Sequence, residues 1–141
     1  MRPFLDSSVL VAAFDSADEF HAWALPLARL PRAAIAAHSL AETFSTLTGR
    51  RHWTPADAAR AIRHNTAGME KVTLTAKDIL TVLDGSQAIG VRGGAVYDCL
   101  ILACARKLKG GVKIYTANPG HFRLFAPDLK NSIFAPPSIS G

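Results

Sequence analysis

Short apolar segments alternate along this chain with stretches of helical periodicity, and that alternation constrains the fold more than any other feature. Arg2 to Leu5 reads as a strand that stops at Asp6. Ala33–Ala37, Val72–Leu74, Val112–Tyr115 and Ser132–Phe134 read as further strands. Between them, Phe20, Trp23, Ala24 and Leu27 recur at helical spacing and predict a helix from Ser16 to Arg29. A second helix runs from His38 or Ser39 to Thr48 and is stopped by Gly49. Thr54-Pro55 caps a third that reaches Ala67, and a fourth covers Ala76–Ala88. The last, Ala95–Leu108, lies between Gly93-Gly94 and Gly110-Gly111. Strands separated by helices form a mainly parallel sheet covered on both faces. Ligands of such sheets bind beyond the carboxyl ends of the strands. That places attention on Asp6, on the helix start that carries Glu42, and on Thr116-Ala117-Asn118.

A chain of 141 residues with 49% hydrophobic and 19% charged residues is expected to be a single domain, residues 1–141, with a substantial core. Intrinsic disorder is excluded by that apolar content. The longest mainly apolar run, Ala95 to Ala105, is about half of the ~20 residues a membrane-spanning helix needs, and it contains Asp98. Asp6 arrives too early for a signal peptide, and Cys99 and Cys104 stand at no metal-binding spacing. A reduced, cytoplasmic location is therefore expected. Residues 1–50 carry four basic and five acidic groups, whereas residues 51–141 carry twelve and six. The basic excess of the second segment favours an anionic partner such as nucleic acid, against the plainer reading of a solvated basic face.

Three carboxylates stand in contexts that ask for a reason. Asp98 interrupts a helix whose other residues from Ala95 to Ala105 are apolar or aromatic, which predicts a helix buried nearly all round. A buried carboxylate then needs a basic side chain, the helix N-terminus or a metal ion to offset its desolvation. Asp6 lies between Phe4-Leu5 and the apolar run Val9–Phe14. It fits a simple N-cap at a strand-to-helix turn as well as a ligand. Glu42 points away from the stripe formed by Leu40, Phe44 and Leu47, as a solvated glutamate would, on a helix otherwise free of charge. Asp15, Asp18, Glu19, Asp57, Glu70, Asp78, Asp84 and Asp128 occupy polar or turn contexts. Carboxylates that converge repel one another unless a cation sits among them. An all-oxygen donor set with open positions suits Mg²⁺ or Mn²⁺ rather than zinc. In a basic protein such an ion could bind a phosphodiester oxygen and activate water for in-line attack.

Leu5-Asp6-Ser7-Ser8-Val9-Leu10, Leu40-Ala41-Glu42, Val96-Tyr97-Asp98-Cys99-Leu100 and Tyr115-Thr116-Ala117-Asn118 resemble, in this order and over essentially the whole chain, the acidic motifs of PIN domains. They are most similar to those of the VapC-type toxin ribonucleases of toxin–antitoxin pairs. The resemblance implies a three-layer α/β/α fold with a central mainly parallel sheet. It also implies a Mg²⁺- or Mn²⁺-dependent endoribonuclease that is homodimeric and held inactive by a cognate antitoxin. By position, Asp6, Glu42 and Asp98 would ligate the metal, and Thr116 would orient the substrate phosphate or a metal-bound water. Asn118 stands where many relatives carry a fourth acid, so a second metal site would be weak or filled only with RNA present. The antitoxin is expected to place an Arg or Lys among the carboxylates.

Other chemistries fit less well. His21, His38, His52, His64 and His121 form no i,i+4 pair for zinc, and no G-x-S-x-G elbow surrounds Ser7 or Ser8. Gly90, Gly93 and Gly94 form no dinucleotide fingerprint. Arg50, Arg51, Arg60, Arg63 and His64 offer one RNA-contacting face, and Lys107, Lys109 and Lys113 a second near Thr116. The alternatives are a PIN-fold RNA- or protein-binding module with a degenerate pocket, and a phosphoesterase acting on small phosphorylated molecules.

Overall fold

The structure is a computed structural model that describes residues 1–137. Five strands, β1 (Arg2–Leu5), β2 (Ala34–Ala36), β3 (Glu70–Val72), β4 (Val112–Tyr115) and β5 (Ile133–Phe134), form one sheet in the order β3-β2-β1-β4-β5. Every pairing is parallel. The connections supply seven helices: α1 (Ser7–Phe14), α2 (His21–Ala28), α3 (Ser39–Thr48), α4 (Pro55–Thr66), α5 (Ala76–Ile89), α6 (Ala95–Arg106) and α7 (Pro119–Phe125). A 3₁₀ turn spans Pro127–Ser132.

Successive strand residues face opposite sides, so neighbouring side chains enter different cores. Phe4, Ala34, Ala36 and Ile114 pack with Ile101, Leu102 and Phe122 from α6 and α7. Leu5 and Ile35 pack on the other face with Val9, Leu10, Ala13 and Ala24 from α1 and α2. A smaller cluster of Val11, Leu47, Ala58 and Ile62 joins α1, α3 and α4. The result is the expected three-layer α/β/α arrangement. No helix among the described residues is long and apolar enough to cross a membrane.

Several elements differ from the sequence expectation for identifiable reasons. α1 carries no helical periodicity because Val9, Leu10, Val11, Ala12 and Ala13 are all buried, leaving no polar face to mark it. The helix expected from Ser16 starts only at His21. Asp15 and Asp18 accept the backbone N–H groups of Ala17 and Phe20, and these local bonds hold the preceding residues in turns. β3 ends at Val72 because its register with β2 pairs Ala34 with Glu70 and Ala36 with Val72. α6 buries Cys99, Ile101, Leu102, Cys104 and Ala105, but its first turn is open, with Tyr97 55% exposed. Asp98 is therefore half-buried at the edge of the fold rather than enclosed by it.

Asp15 and Asp18 also have a structural role beyond their turns. Arg51 reaches from the loop after α3 and donates to Asp15 Oδ2 and Asp18 Oδ2, each at 2.7 Å. Both carboxylates are close to buried, so removing the guanidinium strands two charges. Arg51→Ala is expected to lose about 2–3 kcal/mol of stability, read as the shift in a urea unfolding curve.

The lysines near β4 do not stand where the sequence placed them. Lys107 and Lys109 precede β4, at the amino end of the strand, whereas Thr116 follows its carboxyl end. Lys107 is paired with Asp78 at 2.6 Å, and the Lys113 ammonium sits over the Phe134 ring.

Candidate metal centre

The sheet order makes β1 the point of reversal. The chain steps outward from β1 to β2 and β3, then returns to the other side of β1 with β4 and β5. The crevice beyond the carboxyl ends of β1 and β4 is the switch point at which such sheets bind ligands. Asp6 follows β1 directly, and its N–H donates to Tyr115 O at 3.2 Å, tying the two strand ends together. Thr116 follows β4, Glu42 lies in the first turn of α3 behind β2, and Asp98 lies in the first turn of α6.

Asp6 is 4% exposed and held from three directions. Its Oδ1 accepts the Ser8 hydroxyl at 2.5 Å and the Val9 N–H at 3.2 Å, and its Oδ2 accepts the Thr116 hydroxyl at 2.6 Å. It is thus the N-cap of α1, the simpler of the two readings open to the sequence, and its carboxylate stands at the switch point of the sheet. Burial pushes its pKa up to about 6, against the three hydrogen bonds, and the charge of Asp98 adds to the rise.

Glu42 is raised further, to about 7, first by burial and then by the charges of Asp6 and Asp98, with the Ser7 hydroxyl acting in the opposite direction. Its Oε1 is buried without a hydrogen-bond partner. His38 Nε2 approaches it to 3.4 Å, but burial lowers the pKa of His38, so at neutral pH the imidazole brings no charge to the contact. The default of a solvated surface glutamate does not describe this side chain. Asp98 Oδ2 lies 2.7 Å from His121 Nδ1.

Thr116 is fully buried. Its hydroxyl proton goes to Asp6, and its oxygen accepts the Asn118 N–H at 2.9 Å. The hydroxyl thus links Asp6 at the end of β1 to the start of α7. Asn118 is the N-cap of α7, and its side chain makes no capping bond. It lines a polar cleft of about 620 Å³ with Ser7, Ser8, Thr46, Arg50 and Arg51. Arg60, by contrast, pairs with Asp57, and Arg63 lines a separate groove between α3 and α4. The basic face read from the sequence is therefore divided, with only Arg50 and Arg51 beside the site.

Ser8 and His121 bond directly to two of the candidate carboxylates, contacts that sequence reasoning missed. Ser8 was weighed only as a nucleophile, whereas it accepts the Ala117 N–H at 2.9 Å and donates to Asp6, bridging α1 to the end of β4. His121 stands in the sequence reading only as one of five scattered histidines considered for zinc or for nucleophilic chemistry. Its position three residues after Asn118, at the start of a short helix, was the available signal.

The donor chemistry fits a hard divalent cation. All three carboxylates are oxygen donors, Asp6 and Glu42 resist ionisation first through burial and then through neighbouring carboxylate charge, and one buried oxygen has no partner. Among the described residues no group of three or more His, Cys, Asp or Glu side chains is disposed to hold an ion as it stands.

A profile of the PIN domain matches residues 4–125. No curated protein matches the chain. Among solved structures, Mycobacterium tuberculosis VapC20, a sarcin–ricin loop cleaving toxin, superposes with a TM-score of 0.66. The match covers 82% of this chain and 91% of that one at 25% identity. A chain of a toxin–antitoxin complex from Klebsiella pneumoniae matches with a TM-score of 0.66 over 97% of this chain and 99% of its own, at 19% identity.

Proposed function

The chain belongs to the PIN domain family, and on that premise we propose that it is a Mg²⁺- or Mn²⁺-dependent endoribonuclease, the toxin of a toxin–antitoxin pair. The observation that carries the reading is the placement of Asp6, Glu42 and Asp98 at the switch point of the sheet, where burial first and neighbouring carboxylate charge second raise the pKa of Asp6 and Glu42. Carboxylates gathered at a cost to their own ionisation are recruited for a cation. Asp6, Glu42 and Asp98 would hold it. Bound there, the ion would supply Lewis-acid polarisation of a phosphodiester and a water of lowered pKa.

The protein's own contribution is placement. Ser8, Val9 and Thr116 hold Asp6 so that both of its oxygens have fixed directions. Asn118 adds an amide at the cleft without adding negative charge, which leaves a second ion without a fourth carboxylate. Arg50, in the polar cleft beside Ser7, Ser8 and Asn118, is the cation placed to take a flanking backbone phosphate. Arg51 lies in the same cleft but is neutralised by Asp15 and Asp18.

RNA and a cognate antitoxin are the partners this reading assigns. An antitoxin Arg or Lys inserted among the three carboxylates would replace the cation and relieve the repulsion between their charges. A homodimer has an available face in α5, which buries none of its residues and leaves Leu80 and Leu83 about half exposed.

Incubation of the purified chain with a mixed RNA pool tests the reading. Discrete cleavage products are expected with Mn²⁺ and none with chelator. Mn²⁺ binding without cleavage of any RNA, or of any phosphomonoester, would favour the binding module instead.

A further inference from the structure

Asp98 differs from the other two carboxylates in how it is held. Asp6 accepts hydrogen bonds from three groups, and Glu42 is half-buried on α3. Asp98 sits on the open first turn of α6, and among the described residues its side chain has a single hydrogen-bond partner, His121. Without that contact its two side-chain torsions would be free to turn towards solvent.

His121 is itself fixed from two sides. Its ring is stacked on Phe125, one turn further along α7, with centroids 5.4 Å apart and planes at 26°. The neighbouring Phe122 is completely buried and anchors α7 in the core beneath α6. α7 begins directly after Thr116 and Asn118, so one short element ties the end of β4 to the carboxylate on α6. The two side chains are 55% and 29% exposed, a setting in which such a contact adds little to folding stability. Its geometry serves direction better than strength.

We propose that His121 is a positioning residue for the metal centre: its Nδ1–H holds one oxygen of Asp98 and leaves the other aimed at the cation. The inference rests on the reading of Asp6, Glu42 and Asp98 as metal carboxylates. A ligating carboxylate is commonly held by a hydrogen bond to an outer partner, and loss of that partner typically weakens metal binding by about 10–100-fold.

Calorimetric titration of the full chain with Mn²⁺, beside melting in chelator, tests it. His121→Phe retains an aromatic ring for Phe125 and removes the donor, whereas His121→Asn places an amide N–H near the position of Nδ1. The Phe variant is expected to bind Mn²⁺ about 10-fold or more weakly, the Asn variant to recover most of that loss, and all three proteins to melt alike in chelator. Unchanged Mn²⁺ affinity in His121→Phe would overturn the proposal, as would a lower melting temperature in chelator that accounts for the whole loss. Absence of Mn²⁺ binding by the unaltered chain would instead overturn the metal reading on which it rests.

Discussion

Asp6→Asn is expected to lower RNA cleavage by about three orders of magnitude, the equivalent of roughly 4 kcal/mol of transition-state stabilisation, while leaving the fold intact. Both parts follow from the surroundings of the side chain. Asparagine caps helices about as well as aspartate, so the N-terminus of α1 keeps its cap. The amide oxygen still accepts from Ser8 and Val9. The amide N–H₂ then faces Thr116, whose hydroxyl can rotate to accept from it. What is lost is the negative charge in a buried setting where Asp98 already opposes it. Melting in chelator should therefore be unchanged or slightly raised. A variant that melts well below the parent would make Asp6 a structural cap first, and its loss of cleavage would say nothing about metal.

Glu42→Gln is expected to stabilise the metal-free protein increasingly as the pH rises from 5.5 to 8, by about 1 kcal/mol or roughly 3–5 °C in Tm at the upper end. The folded protein holds the Glu42 proton up to about pH 7, whereas the unfolded chain releases it near 4.5. Between those values the native state binds more protons than the unfolded one, so stability falls as pH rises through the window and the loss is complete above it. Glutamine carries no charge and escapes the loss. The half-buried side chain is partly screened, which keeps the effect well below the full linkage value. His38 acts in the opposite sense, since its lowered pKa makes stability rise with pH, and comparing variant with parent at each pH removes that contribution. Mn²⁺ at about 100 times its Kd should stabilise the parent by roughly 2.7 kcal/mol at pH 8 and leave Glu42→Gln little changed. Thermal melts at several pH values, with and without Mn²⁺, read both effects. A variant that loses stability at pH 8 would show that Glu42 is a structural partner rather than a repelled carboxylate.

The parts of the fold that announced themselves in the sequence are those with two distinguishable faces. α4, with Ala58 and Ile62 inward and arginines outward, and β4, bounded by glycine and threonine, fell close to their expected limits. α1 escaped because burial on every side erased its periodicity, and β3 shifted because pairing with β2, a long-range contact, set its register. In the site, the carboxylates were visible because charge inside apolar sequence demands compensation. Their environments were not. Asp98 was expected to be enclosed and stands at an open helix start, while Glu42 was expected to be solvated and carries a buried, unpartnered oxygen. The difference lies in contacts far apart in the chain: His121 lies 23 residues beyond Asp98, and Thr116 lies 110 beyond Asp6. No local pattern records such distances. The same holds for Lys107 and Lys109, near Thr116 in sequence but separated from it by the length of β4.

Crystals grown with Mn²⁺, examined for anomalous scattering, test the metal assignment most directly. One peak within coordinating distance of Asp6, Glu42 and Asp98 together, absent from Asp6→Asn crystals, is the predicted result. Binding shown by calorimetry but with the peak elsewhere on the surface, and none at the three carboxylates, would contradict it.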